Sequence, residues 1–102
     1  INSYALAKAG VAQLARNIAV QWGPKGVRAN SISPGLIKTE LVAQLPAGAE
    51  FMQRRMQMTP LRRMGEVEEV AGAAVFLASA AGGFVNGHNL VVDGGTLFTD
   101  GS

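Results

Sequence analysis

Two side chains near the start of the sequence have the types and spacing of an acid–base pair. Tyr4 and Lys8 are four residues apart in an alanine-rich segment. Residues i and i+4 of a helix share one face, with Cβ atoms about 5–6 Å apart. A phenol has an ordinary pKa of about 10, and a neighbouring ammonium group stabilises the phenolate and lowers that pKa. The pair therefore predicts a general acid/base that exchanges a proton with an alcohol or carbonyl oxygen.

The spacing alone is a weak signal, because a tyrosine and a lysine four residues apart occur often by chance. Taken alone, the pair is better explained as a surface tyrosine beside a solvated lysine. The elements that position the two residues must therefore decide between these interpretations.

Those elements alternate between helix and strand. Alanine content, apolar spacing and the Gly-Pro and Pro-Gly breaks predict their order and approximate bounds. They are a helix over 3–22, a strand over 27–33, short helices over 40–45 and 49–58, a helix from 66 to about 79 and a strand over 89–92. Two short strands do not form a stable sheet by themselves. We therefore expect both strands to need neighbours from preceding residues or from another chain.

The first predicted helix carries two apolar stripes. One stripe is bulky (Leu14, Ile18, Trp22) and the other is mostly small (Ala7, Val11, Ala15, Ala19). The bulky stripe suits packing on a sheet, and the small stripe would let a second subunit approach closely. Alternatively, the alanines are present only because alanine favours helix.

About thirty residues separate the first strand from the next long helix. Thr39 is a plausible N-cap for the first short helix, and Met52, Met56 and Met58 belong to the second. An insertion at the carboxyl end of a strand predicts a substrate lid over about 36–60. The methionines would be either a flexible wall against a substrate or gap-filling core residues.

Composition excludes several other functions. The chain has 102 residues, 48% hydrophobic content and a formal net charge of +2, which suits one small globular domain. Arg54-Arg55 and Arg62-Arg63 are better explained as solvated or paired charges than as a nucleic-acid site. With no cysteine and one histidine, we expect no metal site and a reducing, cytoplasmic setting. No apolar run approaches the ~18 residues of a membrane span, and the glutamates at 66, 68 and 69 suit helix capping.

Four segments, taken together, resemble the short-chain dehydrogenases/reductases. Residues 3–11 resemble their active-site helix with its Tyr-x-x-x-Lys signature, and 27–39 their strand and Pro-Gly-x-Ile-x-Thr loop. Residues 60–71 are similar to the entry of their late helix, and 87–95 to their last strand and turn. The match covers essentially all 102 residues in the expected order and spacing.

The resemblance implies an α/β fold in which residues 1–102 are the C-terminal part of a Rossmann-like, doubly wound parallel sheet. It also implies an NAD(P)-dependent oxidoreductase that transfers a hydride between the nicotinamide and a carbonyl or alcohol substrate. Tyr4 would be the acid/base, and Lys8 would lower its pKa and bind the ribose hydroxyls of the nicotinamide. The nicotinamide half of the cofactor would be lined by Pro34, Gly35, Ile37 and Thr39. The Ile37 backbone would hold the carboxamide, and the Thr39 hydroxyl would reach the carboxamide or a phosphate.

The resemblance further implies a small-molecule substrate and a homo-oligomer, either a dimer or a tetramer. The small stripe of helix 3–22 and the strand region 87–95 would form its interfaces, and neither nucleic acid nor membrane is expected as a partner. The family's phosphate-binding loop, catalytic serine and asparagine lie before the tyrosine, and this sequence starts at Ile1. The choice between NAD and NADP is therefore not readable. The alternative is a catalytically incompetent, truncated fragment that keeps only interface and lid elements.

Overall fold

The computed structural model describes residues 3–44 and 50–98, and the side chains of Tyr4, Ala43 and Phe98 lie outside that description. Helices and two short strands alternate along the chain. They are α1 (Ser3–Trp22), β1 (Ser31–Pro34), α2 (Glu40–Ala43), α3 (Glu50–Gln57), α4 (Val67–Ala78) and β2 (Asn89–Val92), with 3-10 turns at Gly23–Lys25, Ala80–Gly82 and Thr96–Phe98. β1 and β2 pair as a two-stranded parallel sheet.

The described residues divide into two compact units. The first contains residues up to 33 together with 73–90, and the second contains residues 34–72 together with those from 91 onward. Each strand begins in the first unit and ends in the second. α4 begins in the second unit and ends in the first.

In the first unit, α1 has the predicted bounds, and part of its small stripe is buried within the chain. Ala15 and Ala19 of the small stripe are buried within the chain, whereas Leu14 of the bulky stripe is 57% exposed. The reason is a close approach to the turn at Gly87, where an added Cβ would lie 3.3 Å from the Ala19 Cβ. Small residues are needed on both sides of this contact. Part of the small stripe is therefore covered by this turn, and the expectation that the bulky stripe packs on a sheet stays a prediction.

β1 begins at Ser31, four residues later than predicted. Residues 27–30 are not a strand, because their hydrogen bonds go to a turn and to side chains. The Ala29 N–H donates to Asn86 Oδ1 (3.0 Å) and its carbonyl accepts from the Gly87 N–H (2.7 Å). The parallel pairing starts where the Ser31 N–H donates to the His88 carbonyl at 2.9 Å.

The C-terminal end of α4 is held by one arginine in the first unit. The Arg28 guanidinium donates to the Leu77, Val85 and Ser79 carbonyls at 2.7, 3.2 and 3.5 Å. Carbonyls at a helix C-terminus lack intrahelical partners, and a cation there also favours the helix dipole. Arg28 thereby joins the end of α4 to the chain that leads into β1.

In the second unit, the short helices match the sequence prediction within the described residues. Thr39 is the N-cap of α2, since its hydroxyl accepts from the Val42 N–H at 3.2 Å. α3 covers 50–57 of the predicted 49–58. Residues 45–49, which include the predicted end of the first short helix, lie outside the described part.

Little apolar surface is buried in either unit. Among the described residues, the buried apolar side chains are Ala15, Ala19 and Leu77, and the fully exposed ones include Phe84. Such sparse burial fits part of a larger sheet better than a domain with its own core. Within 3–44 and 50–98, no helix has both the length and the apolar character to cross a membrane.

Candidate active site and cofactor-binding loop

The structure places the predicted acid–base pair on α1. The backbones of Tyr4 and Lys8 lie in the first two turns of that helix, one turn apart, as the spacing predicts. The Lys8 side chain is half-buried, and the Tyr4 side chain lies outside the described part. Both residues belong to the first unit, whereas Gly35, Ile37 and Thr39 belong to the second.

Gly35 lies so close to the turn after β2 that a side chain would not fit there. Its N–H donates to the Val92 carbonyl at 2.9 Å, which continues the pairing beyond β1. A Cβ added at Gly35 would lie 2.8 Å from both Cα and Cβ of Asp93. In protein structures, Cβ atoms essentially never lie that close to another heavy atom. The Pro34-Gly35 step therefore lets the loop after β1 lie against the turn after β2.

The N–H and carbonyl of Ile37 point away from Gly65, the residue with which Ile37 is paired. Ile37 forms a parallel bridge with Gly65, in which the Lys38 N–H donates to the Gly65 carbonyl (2.8 Å) and the Gly65 N–H donates to the Leu36 carbonyl (2.9 Å). These bonds use the residues on either side of Ile37. Its own N–H and carbonyl make no hydrogen bond to another described residue. They are a donor and an acceptor left for a ligand or for water.

Thr39 combines a structural bond with a remaining donor. Its hydroxyl oxygen accepts the N-cap bond of α2, and a hydroxyl that accepts one bond still has its proton to donate. The residue is exposed. Ile37 and Thr39 therefore offer one acceptor and two donors within three residues at the carboxyl end of β1.

The residues that hold this loop were not expected from the sequence. An added Cβ at Gly65 would lie 2.8 Å from the Ile37 Cδ1, so the tip of that side chain would have to move. The sequence signal that could have indicated Gly65 was its position directly before the glutamates that cap α4. A cavity of about 440 Å³ lies in the same unit, and its lining includes Ile37, Leu61, Gly65, Val92 and Gly94.

The start of α4 is fixed by an ion pair with two parallel hydrogen bonds. The Arg63 guanidinium donates to Glu69 Oε1 and Oε2 at 2.7 and 2.9 Å, and the Glu66 N–H donates to Oε1 at 2.8 Å. The hydrogen bond from Arg63, followed by that from Glu66, lowers the pKa of Glu69 to about 2. The same pairing raises the pKa of Arg63. Glu69 is thus a capping carboxylate, as the sequence predicts, and it is ionised at neutral pH.

Comparison with known proteins fits this arrangement. A family model described as Enoyl-(Acyl carrier protein) reductase matches residues 1–97. The chain belongs to the short-chain dehydrogenase/reductase family. It is 44% identical over 95 residues to gluconate 5-dehydrogenase of Gluconobacter oxydans, covering 93% of this chain and 37% of that protein.

Solved structures of the family show the same fold. The crystal structure of a gluconate 5-dehydrogenase from Burkholderia cenocepacia, in complex with NADP and tartrate, matches with a TM-score of 0.87 and 42% identity. A short-chain type dehydrogenase/reductase from Mycobacterium ulcerans matches with a TM-score of 0.89 and 44% identity. These matches cover 97% and 95% of this chain but 39% and 35% of those chains. The fold class expected from the sequence, the C-terminal part of a Rossmann-like sheet, is confirmed.

The described residues hold no group of three or more histidine and acidic side chains suited to a metal ion. The chain spans 37% to 39% of the length of the curated relatives compared with it.

Proposed function

We propose that this chain supplies the acid–base pair and the nicotinamide-binding loop of an NAD(P)-dependent oxidoreductase. Family membership supports oxidoreduction, and two similar solved structures contain NADP. In this proposal the catalytic residues are Tyr4 and Lys8, and the cofactor-binding residues are Tyr4, Lys8, Pro34, Gly35, Ile37 and Thr39.

The unpaired peptide groups of Ile37 carry the proposal. A nicotinamide carboxamide has one carbonyl acceptor and one NH₂ donor, which complement the N–H and the carbonyl of Ile37. The bridge to Gly65 fixes that peptide before any ligand binds, with bonds of 2.8 and 2.9 Å on either side. Binding therefore requires little ordering of the loop. The Thr39 hydroxyl provides a further donor to the carboxamide or to a phosphate.

In the proposed reaction, the protein transfers one proton to or from the substrate oxygen. When bound, the nicotinamide supplies or accepts the hydride at the substrate carbon. The Tyr4 phenol donates a proton to the substrate oxygen in reduction and removes it in oxidation. The Lys8 ammonium stabilises the phenolate and lowers the pKa of the phenol. Lys8 also donates to the ribose hydroxyls and so orients the cofactor relative to Tyr4.

The proposed substrate is a small alcohol, carbonyl compound or hydroxy acid. One relative is named for gluconate and a similar structure holds tartrate. Residues 36–60 would cover that substrate as a lid. The exposed Phe84 and Phe76, which line one cavity of about 390 Å³, support a homo-oligomer. Sedimentation velocity of the full-length protein is expected to give a dimer or a tetramer, and a monomer would contradict this part of the proposal.

Replacement of Tyr4 tests the proposal directly. In the full-length protein, Tyr4→Phe is expected to lower kcat by about 10²-fold or more, which is the lower end of general acid–base contributions. Cofactor affinity, measured by quenching of protein fluorescence, should change little. Ser3→Ala on the same helix turn serves as the control and should keep its activity.

Near-normal turnover of Tyr4→Phe would remove Tyr4 from the mechanism. Undetectable oxidoreduction by the unaltered full-length protein, across alcohols and hydroxy acids with both NAD and NADP, would instead favour the catalytically incompetent alternative.

A further inference from the structure

A small, open cavity lies beside α3 in the second unit. It has a volume of about 220 Å³ and is lined by Gln53, Met56, Gln57 and Arg62. We propose that this cavity binds the carboxylate of a small hydroxy acid, with Arg62 as the main contact. This inference rests on the proposed function only in taking that carboxylate to be the substrate's. The volume is below the roughly 300–1,000 Å³ of pockets for drug-sized ligands, so it suits one end of a small molecule.

The backbone of Arg62 is in an unfavourable conformation. Its φ of 57° makes it the one residue other than glycine with a positive φ among those described. A side chain in this region is uncommon and costs about 1 kcal/mol or more. Glycine would avoid the strain. An arginine is nevertheless present, and its side chain lines the cavity.

The Arg62 side chain is exposed and is bonded at one nitrogen to a buried neighbour. Its Nη1 and its backbone N–H both donate to the Thr59 carbonyl at 2.8 Å. Thr59 is 4% exposed, and its hydroxyl donates to the Arg55 carbonyl at 2.8 Å. The anchor of the guanidinium is therefore itself held in place. A preorganised guanidinium loses less freedom when it binds an anion.

Part of the donor capacity of this cavity is unused by the protein. The Arg62 side chain makes one hydrogen bond within the described part of the chain, through Nη1. Its Nε and Nη2 remain as the pair that binds a carboxylate through two parallel bonds. Gln53 and Gln57, one helical turn apart on α3, add amide NH₂ groups that suit hydroxyls or a second carboxylate oxygen.

The experiment compares two ligands that differ in one group. D-Gluconate and D-glucitol have the same carbon chain, with a carboxylate in the first where the second has a CH₂OH group. Their binding to the full-length protein is measured by isothermal titration calorimetry. We expect the unaltered protein to bind gluconate about tenfold or more tightly, which corresponds to one charge-assisted hydrogen-bonded pair.

Arg62→Gly is the informative variant, because glycine accepts the positive φ and the fold should be retained, with an unchanged or higher Tm. It should bind both ligands with affinities within about twofold of each other. Arg54→Ala removes the same charge from α3 at an exposed position that does not line the cavity. This control should keep most of the preference for gluconate.

Four results would overturn the site. They are equal affinities for the two ligands in the unaltered protein, no binding of either, the same loss in Arg54→Ala as in Arg62→Gly, and inorganic phosphate binding as tightly as gluconate. None depends on turnover, so a failure here is distinguishable from a failure of the Tyr4 experiment.

Discussion

The two units position their strand ends by different means. In the first unit, polar side chains bind backbone groups: Arg28 binds three carbonyls, and the Asn30 Oδ1 accepts from the His88 N–H at 2.9 Å. In the second unit, two backbone segments approach so closely at Gly35 that an added Cβ would lie 2.8 Å from the Asp93 Cα. At these strand ends, a lost side chain removes hydrogen bonds before β1, whereas an added methyl group at Gly35 collides with the turn after β2.

The difference follows from what each unit positions. The segment before β1 has no regular ladder, so side chains must satisfy its peptide groups. The loop after β1 carries the proposed carboxamide-binding peptide of Ile37, and the bridge to Gly65 fixes it with backbone bonds alone. Backbone contacts give a loop fewer alternative positions than long side chains do. A cofactor-binding loop benefits from that restriction.

The largest effect is expected where a methyl group has no space. Gly35→Ala would place a Cβ 2.8 Å from the Asp93 backbone, and the two segments must separate to admit it. We expect the free energy of unfolding to fall by about 3 kcal/mol, the upper part of the usual range for overpacking. Denaturant unfolding of the full-length protein measures the change.

Gly10→Ala is the matched control, because a Cβ at Gly10 in α1 would meet nothing within 4 Å. Alanine in a helix interior should stabilise by about 0.5–1 kcal/mol. If the two variants were destabilised equally, the contrast between close backbone packing and open helix surface would be wrong.

The next effect concerns the side chain that holds the first unit. Arg28→Met keeps much of the apolar length but removes the donors to Leu77, Ser79 and Val85. We expect a loss of about 2 kcal/mol, because hydrogen bonds from a charged donor are each worth about 1.5–3 kcal/mol and three share one guanidinium. Hydrogen exchange should show faster opening at the end of α4.

Arg28→Lys separates charge from geometry, since an ammonium cannot reproduce the planar guanidinium fork. It is expected to recover less than half of the loss. A lysine variant as stable as the unaltered protein would show that only the charge at the helix end matters.

Local signals predicted part of the fold correctly. The bounds of α1 and β2, the Thr39 cap and the capping role of Glu69 all depend on residues near one another in the sequence. The start of β1 was predicted wrongly, because the partners of residues 27–30 are some 57 positions away, at Asn86 and Gly87. The contact that buries Ala19 was missed for a similar reason, since its partner is the distant turn at Gly87.

For the candidate site too, some features could be predicted from the sequence and others only seen in the structure. The roles assigned to Tyr4, Lys8, Ile37 and Thr39 came from resemblance to a family and stay predictions. The sequence pattern could not show why Ile37 is suited to its role. That depends on a bridge to Gly65 between two loops. Nor could it show the strain at Arg62, which is a property of the backbone in its folded context.

The smallest expected effect is electrostatic and concerns the cap that adjoins Gly65. The folded-state pKa of Glu69 is about 2, below its ordinary value of 4.5. A lowered carboxyl pKa stabilises the fold above the unfolded pKa, and the contribution is lost as pH falls from about 4.5 through about 2. Glu69→Gln keeps an acceptor for the Glu66 N–H, as capping glutamines do, and removes only the charge that pairs with Arg63.

The denaturation midpoint of the unaltered protein should therefore exceed that of Glu69→Gln at pH 6, and the difference should shrink by pH 2. The effect should be small and weaker in salt, because both partners are about half exposed. Glu68→Gln is the control, because the Glu68 side chain makes no hydrogen bond to another described residue, and it should shift the midpoint less at pH 6. A difference between the unaltered protein and Glu69→Gln that persists at pH 2 would mean that packing, rather than the ion pair with Arg63, gives Glu69 its role.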